Sequence, residues 1–331
     1  MAAQLTIIGL GQIGASIGLA LKNRRDSIRR VGYDRDASAA KAAQNLGVID
    51  EVKNLKDAVR DANVVVLALP LSEIRETLER IGPQLRENAV VFDTAPVKSV
   101  VLEWVKEFIP EGRFYLGLVP ALSPQSFAST ESGLKVASPD LFKQTIMVVD
   151  VPSGTPREVE ELAFDLAYML GAKPMLTDPV ESDGLMASVH VLPQLAAAAL
   201  LNATLNQAGW TEARKLAGRP YAGVTGGLAY FDDPVSLRTA ALGNRIGVVH
   251  ALDILLASLK GLRDDIENNN EENVAERLKQ AFDGREHWLD DRSAAEWMNE
   301  GGEKIDVPDF GERINQIFFG GTIADRLKKK K

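Results

Sequence analysis

The sequence predicts an α/β protein: a doubly wound parallel sheet over the first half, then an all-helical domain. Three observations carry that prediction. Short β-branched runs alternate with helical patterns up to about residue 178. A glycine fingerprint sits at the first strand-to-helix turn. No strand-period run appears beyond residue 179. The 331 residues suit about two domains, and the change of texture near Asp178-Pro179 divides them as 1–178 and 179–331.

The elements are taken in chain order. Leu5 to Gly9 reads as an apolar strand closed by glycine, and Ile13 to Asn23 as the helix after it. Arg30 to Tyr33 is a second strand, ending at Asp34. Ala37 to Leu46 is an alanine-rich helix, with Gly47 as its C-terminal cap. Leu55 to Arg60 is a short helix. Asn63 to Leu69 (NVVVLAL) is too continuous in β-branched residues to be half exposed, so it is a buried strand. Leu71 to Ile81 is a helix stopped by Gly82-Pro83. Ala89 to Asp93 is another buried strand, and Val97 to Phe108 a helix. Phe114 to Leu118, Thr145 to Asp150 and Lys173 to Leu176 read as later strands. Val151 to Pro156 is a loop and Glu158 to Leu170 a helix.

The second half is helical. Leu185 to Gln207 forms one long pattern ended by Gly209. Pro234 to Lys260 contains another, and Glu271 to Asp283 continues helical. Leu192 to Leu205 is apolar nearly all round, so it needs cover on every side. In so small a domain this points to a homodimer formed through the helical region. From about Ser293 the chain becomes a mixed tail, with Gly301-Gly302, an Ile317-Phe318-Phe319 patch and Lys328 to Lys331.

Composition narrows the partners. Hydrophobic residues are 45% and charged residues 25%, as in ordinary soluble proteins. No apolar run reaches the roughly 18 residues of a membrane helix, and no signal segment opens the chain, so a cytoplasmic protein without a membrane partner is expected. There are no cysteines, and the net charge of −8 disfavours nucleic acid. Three scattered histidines do not suggest a metal site. A small-molecule substrate is the remaining expectation.

Gly9-Leu10-Gly11-Gln12-Ile13-Gly14 matches G-x-G-x-x-G. It comes after a strand and opens a helix, and Asp34 lies at the end of the next strand, twenty positions beyond Gly14. That is the Rossmann context for a dinucleotide. Gly9 makes the turn, Gly11 admits the pyrophosphate, and Gly14 lets helix approach strand. Asp34 accepts hydrogen bonds from the adenosine ribose, which favours NAD. Arg35, beside it, leaves NADP open. Leu69, Pro70 and Thr94, at the ends of the next strands, lie where open parallel sheets bind their ligands.

For acid–base chemistry the candidates are His190 with Asp183, seven residues and two helical turns before it. Lys98 is a candidate to orient substrate or stabilise an oxyanion. Ser123 and Gln125, with Ser126, are candidates to hydrogen-bond a neutral substrate. Tyr221 and Tyr230 lie in or beside the glycine-rich Gly218 to Gly227, a candidate lid. His250, inside an apolar helix pattern, reads as structural.

From about residue 5 to 285 the sequence resembles the prephenate and arogenate dehydrogenases. The resemblance rests on GLGQIG, GYDRD at Gly32 to Asp36, DTAPVKS at Asp93 to Ser99, GLVPALSP at Gly117 to Pro124, SDGLMASVHVLPQ at Ser182 to Gln194, and Asn244-Arg245. It implies a Rossmann domain joined to a helical dimerisation domain. The implied reaction is oxidative decarboxylation, with hydride passing from the substrate's ring C4 to nicotinamide and carbon dioxide lost. The chain departs from the family at its chemistry. Ala95-Pro96 stands where the family writes Gly-Ser, and Val119 where it keeps the histidine that hydrogen-bonds the reacting hydroxyl. Ser182, Val191 and Gln194 stand at three further histidines, and Leu228 at the substrate-binding arginine. Valine neither accepts nor polarises a hydroxyl proton, a function worth about 10²–10⁴-fold in rate. Three readings stay open: a dehydrogenase with a diverged substrate, a weak or inactive dinucleotide-binding sensor or assembly protein, and a reductase of imines or β-hydroxy acids.

Overall fold

Eight strands form one sheet in the order β3-β2-β1-β4-β5-β6-β7-β8. The structure is a computed structural model that describes residues 2–298 except 128, 130, 231 and 232, and not the Tyr230 side chain. The expectations for Gly301-Gly302, Ile317 to Phe319 and Lys328 to Lys331 lie outside the described residues.

The strands are β1 (Ala3–Ile8), β2 (Ile28–Tyr33), β3 (Glu51–Val52), β4 (Val64–Leu67), β5 (Val90–Asp93), β6 (Phe114–Pro120), β7 (Thr145–Asp150) and β8 (Ala172–Thr177). Helices α1 (Gln12–Ala20), α2 (Ala37–Asn45), α3 (Leu55–Arg60), α4 (Leu71–Ile81), α5 (Ser99–Phe108) and α6 (Arg157–Met169) cover its two faces. Period-two alternation divides the strands between two cores. Leu5, Ile7, Val64, Val66, Val90 and Phe92 face the side of α1, α2 and α6. Ile8, Val65, Leu67 and Val91 face α3, α4 and α5.

The doubly wound expectation holds, with one correction. β6 and β7 pair antiparallel, Gly117 opposite Asp150. A parallel step needs a crossover of a dozen or more residues, usually a helix. The segment between these strands has only two short 3₁₀ turns, Pro124–Ser126 and Gly133–Val136. The two-residue β3, too short to show a period, was not anticipated.

The helical region begins directly after β8 with α7 (Pro179–Met186), six residues before the first helical pattern expected from Leu185. A π turn at Ala187–Val191 joins it to α8 (Leu192–Leu205). Then come α9 (Trp210–Leu216), α10 (Arg219–Thr225), α11 (Gly227–Tyr230), α12 (Pro234–Gly243), α13 (Arg245–Glu267) and α14 (Glu271–Ala294). The long helix expected within Pro234–Lys260 is interrupted: α12 and α13 are bent by 96° at Asn244. The candidate lid, Gly218 to Gly227, is largely helical. Tyr221 packs on Trp210 and its hydroxyl meets that of Thr204 at 2.7 Å, tying α10 to α8.

Ala187, Val191, Leu237, Ala240 and Val248 join the sheet's second core, so the helical region docks on the α3–α5 side. The continuous run Pro179–Leu205 is long and apolar enough, by length and composition, to cross a membrane. This corrects the expectation that no apolar run is that long: the helix extends upstream of Leu185 to Pro179.

Candidate functional site

The glycine turn builds an anion cradle at the sheet's carboxyl edge. Gly9 has φ +91°, and a Cβ there would lie 2.2 Å from the Ala68 carbonyl oxygen. A Cβ on Gly14 would lie 1.9 Å from the Gly9 carbonyl oxygen, so only glycine lets α1 pack this close. Gly11 differs: a Cβ there would meet nothing within 4 Å. Its missing side chain therefore opens space outward. No side chain caps α1 and no acidic residue occupies its first turn, so the amides of Gln12, Ile13 and Gly14 keep their affinity for an anion.

Asp34 locks this turn. Its carboxylate accepts the amide of Leu10 at 2.8 Å and that of Asp36 at 2.9 Å. Each oxygen keeps a second lone pair for a hydroxyl partner. Arg35 is exposed and paired with Glu73 of α4 at 2.6 Å. The Ala68 amide bonds the Ile8 carbonyl, and the Thr94 amide bonds that of Leu67, so Leu69, Pro70 and Thr94 gather on the same edge as the glycines. These residues fit a dinucleotide, with open space at Gly11, free amides and an anchored carboxylate.

Lys98 and Asp183 belong to a different structure, a buried ionic joint beneath the edge. The Lys98 side chain is 0% exposed. Its ammonium donates to Asp93 Oδ1 at 2.9 Å, to the Asp93 carbonyl at 3.2 Å and to the Leu118 carbonyl at 3.0 Å. All three donors are occupied, so Lys98 does not face a ligand as the sequence suggested. Gly117 makes room for its stem, since a Cβ there would stand 2.6 Å from Lys98 Cδ. The Asp183 carboxylate accepts the amides of Lys98 at 2.6 Å and Ser99 at 3.1 Å, capping α5 from another helix. Asn244 donates to the Asp183 carbonyl and ties in the bend before α13.

Sequence reasoning missed two members of this joint, Tyr115 and Asp150. The Tyr115 hydroxyl donates to Asp93 Oδ2 at 2.6 Å, and burial, then the Asp93 charge, pushes its pKa well up. Asp150 accepts the Thr177 hydroxyl at 2.5 Å and faces Ser182. Burial pushes Asp150 up to about 6, against the Lys98 charge and the Thr177 hydrogen bond, with Asp93 adding to the push. Burial also raises Asp183, opposed by the amides it caps. A charged residue closing the apolar Met147–Asp150 run was the one available signal.

The π turn separates His190 from Asp183. One added residue in a turn rotates the rest of the helix by about 100°. The buried stripe therefore runs Asp183, Ala187, Val191, Gln194, Ala197, and His190 lies half-buried beside it. The Gln194 side-chain amide donates to the His190 carbonyl at 3.1 Å. Val191 is fully buried, and Leu69, Leu195 and Leu228 pack against the same core. Val119 is buried on β6. The core between the sheet and the helices is thus mostly apolar around Val191, with Asp183 and Gln194 its buried polar members. His250, read as structural, is exposed on α13.

Ser123 and Ser126 are half-buried and Gln125 exposed in the loop that leaves β6. The Ser126 hydroxyl donates to the Ser123 carbonyl at 2.7 Å. This loop lies against α1, where the Ser138 amide donates to the Ser16 hydroxyl at 3.0 Å. From the other side α14 covers it: Trp288 stacks on Phe127 with centroids 5.7 Å apart, and Arg292 donates to the Leu122 carbonyl. The sequence had no signal for this return of α14.

Comparison with known proteins matches the architecture. The family model for the prephenate dehydrogenase nucleotide-binding domain matches residues 17–176, and that for the prephenate dehydrogenase dimerization domain matches residues 178–280. Prephenate dehydrogenase of Bacillus subtilis is 24% identical over 285 residues, 85% of this chain and 75% of that protein. Cyclohexadienyl dehydrogenase of Zymomonas mobilis is 24% identical over 285 residues, 85% of this chain and 94% of that protein. The crystal structure of A. aeolicus prephenate dehydrogenase with hydroxyphenyl propionate and NAD+ superposes with TM-score 0.74 at 22% identity, covering 87% of this chain and 98% of that one.

Proposed function

Because this chain belongs to the prephenate dehydrogenase family, we propose that it is an NAD-dependent oxidoreductase of the prephenate/arogenate type, serving tyrosine biosynthesis, with a substrate less anionic than prephenate. The observation that carries the reading is the open, uncapped glycine turn beside Asp34, facing an apolar wall.

Gly9, Gly11, Gln12, Ile13 and Gly14 would hold the pyrophosphate, Asp34 the adenosine ribose, and Leu69, Pro70 and Thr94 the nicotinamide end. Glu73 neutralises Arg35 and adds a second carboxylate near Asp34, which supports NAD over NADP. When bound, NAD supplies the hydride acceptor. The chain's own part is binding, orientation and exclusion of water by Val119, Val191, Leu195 and Leu228. Neither valine takes the hydroxyl proton, so that proton leaves to solvent, with Ser123 able only to relay it, or to the half-buried His190. The rate therefore lacks the roughly 10²–10⁴-fold contribution of a positioned acid–base group. The apolar wall favours a substrate of lower net negative charge, so arogenate, whose ammonium offsets one of its two carboxylates, is preferred to prephenate.

The helical region belongs to the family's dimerization domain, and its exposed apolar residues support a homodimer. The same two valines favour a second reading, a dinucleotide-binding protein with little turnover. Steady-state NAD reduction with arogenate and with prephenate separates the two. Saturable turnover supports the enzyme, and NAD binding without turnover on either substrate supports the second reading.

A further inference from the structure

We propose that Arg292 is the cation that receives the substrate's carboxylate, a specificity-determining residue supplied by a part of the chain beyond the matched family domains. The inference rests on the dehydrogenase reading above and names how that site holds its substrate.

Arg292 lies near the end of α14, twelve residues past the point at which the dimerization-domain match stops. Its guanidinium is half-buried and is flanked by the rings of Phe127 at 5.7 Å and Trp297 at 5.6 Å. Among the described residues it gives one hydrogen bond, to the Leu122 carbonyl. No carboxylate among the described residues pairs with it. A guanidinium has five N–H donors, and a carboxylate takes two side by side. Burial lowers its pKa below the ordinary arginine value, as expected for a cation withdrawn from water without an ionic partner. Leu122 is two residues past the end of β6, in the loop that carries Ser123 and lies over α1. Arg292 therefore stands at the carboxyl end of β6, on the sheet edge that carries the cradle and on the α1 face. Lys98, the buried cation nearby, has no free donor. The apolar wall, on the other face of the sheet, offers an acidic substrate no cation, so the carboxylate reaches across the end of β6 to Arg292.

One arginine compensates one carboxylate. Arogenate presents a single uncompensated carboxylate and prephenate two, so the assignment predicts preference for arogenate.

The test uses the full-length protein and its Arg292→Gln and Arg292→Lys variants. Measured quantities are KM and kcat for arogenate, the NAD dissociation constant, the thermal midpoint, and calorimetric titration of arogenate into the NAD-loaded protein. The expected result for Arg292→Gln is a KM raised roughly 10- to 100-fold with kcat within about three-fold. NAD affinity stays unchanged. Arg292→Lys, or millimolar guanidinium added to Arg292→Gln, recovers part of the loss. If the wild type binds arogenate through Arg292 but does not reduce NAD, the dehydrogenase reading fails and this inference stands. Three results overturn it: KM and arogenate affinity unchanged in Arg292→Gln, a loss confined to NAD affinity or thermal midpoint, and no arogenate binding by the wild type.

Discussion

Gly11 and Gly14 carry the same residue type for opposite reasons. A methyl at Gly14 collides with backbone, while one at Gly11 enters open space. Gly11→Val should leave the thermal midpoint within about two degrees and weaken NAD binding at least tenfold, because only the ligand meets the new side chain. Gly14→Ala should lower the midpoint instead. Fluorescence titration and calorimetric melting on both variants check this contrast. Asp150 supplies a second test. Its folded pKa of about 6 lies above the unfolded value near 3.9. Its protonated form is the stabilised one, so its contribution is complete below pH 4 and lost as pH rises through 6. Asp150→Asn should therefore gain on the wild type between pH 4 and 7 by on the order of 2 kcal/mol, read from urea unfolding at each pH. The cradle residues were legible in the sequence because their spacing is itself the chemistry. Tyr115 and Asp150 were not, because their roles come from strands brought together across β6, β7 and β8.

Two helices of the nucleotide domain take their N-terminal partners from the helical domain. Asp183 of α7 caps α5. At α4, the Ser236 hydroxyl accepts the Ser72 amide at 3.1 Å, and Asp233 accepts the hydroxyls of Ser72 and Ser236. Both helices start just after strands β4 and β5, so the caps hold the cofactor edge as well as the domain joint. Asp183→Ala leaves two buried amides without partners and should cost about 2–3 kcal/mol in urea unfolding. Loss below about 0.5 kcal/mol would contradict the cap. Strand and helix existence could be read from hydrophobic period, and Leu55–Arg60, Leu71–Ile81 and Thr145–Asp150 fall where the pattern placed them. The π turn could not, since one extra residue leaves no mark in an apolar Ala-Ser-Val-His-Val run. Nor could α10 and α11, in the glycine-rich stretch read as a candidate lid, where tertiary contacts such as Tyr221 to Thr204 hold helix.

At the scale of the molecule, the helical domain carries more apolar surface than one chain covers. Ile246 is 83% exposed, and Val249, Leu256 and Leu259 are exposed along the same helix, α13. Contiguous apolar surface of this kind marks an interface. Sedimentation should give a particle of twice 35.9 kDa, and Ile246→Asp with Leu256→Asp should give monomer. The sequence foresaw the two-part architecture because its periods change at residue 178. It also showed which chemistry was missing, at Val119, Val191 and Leu228. It could not show what stands in its place, because the apolar wall and the return of α14 onto the β6 loop are contacts between distant segments. The most direct test is steady-state NAD reduction by the full-length protein with arogenate and with prephenate, beside an NAD titration. The open cradle and the apolar wall together predict saturable NAD binding and slow turnover, with kcat/KM higher for arogenate. Fast turnover of prephenate, or failure to bind NAD, would contradict them.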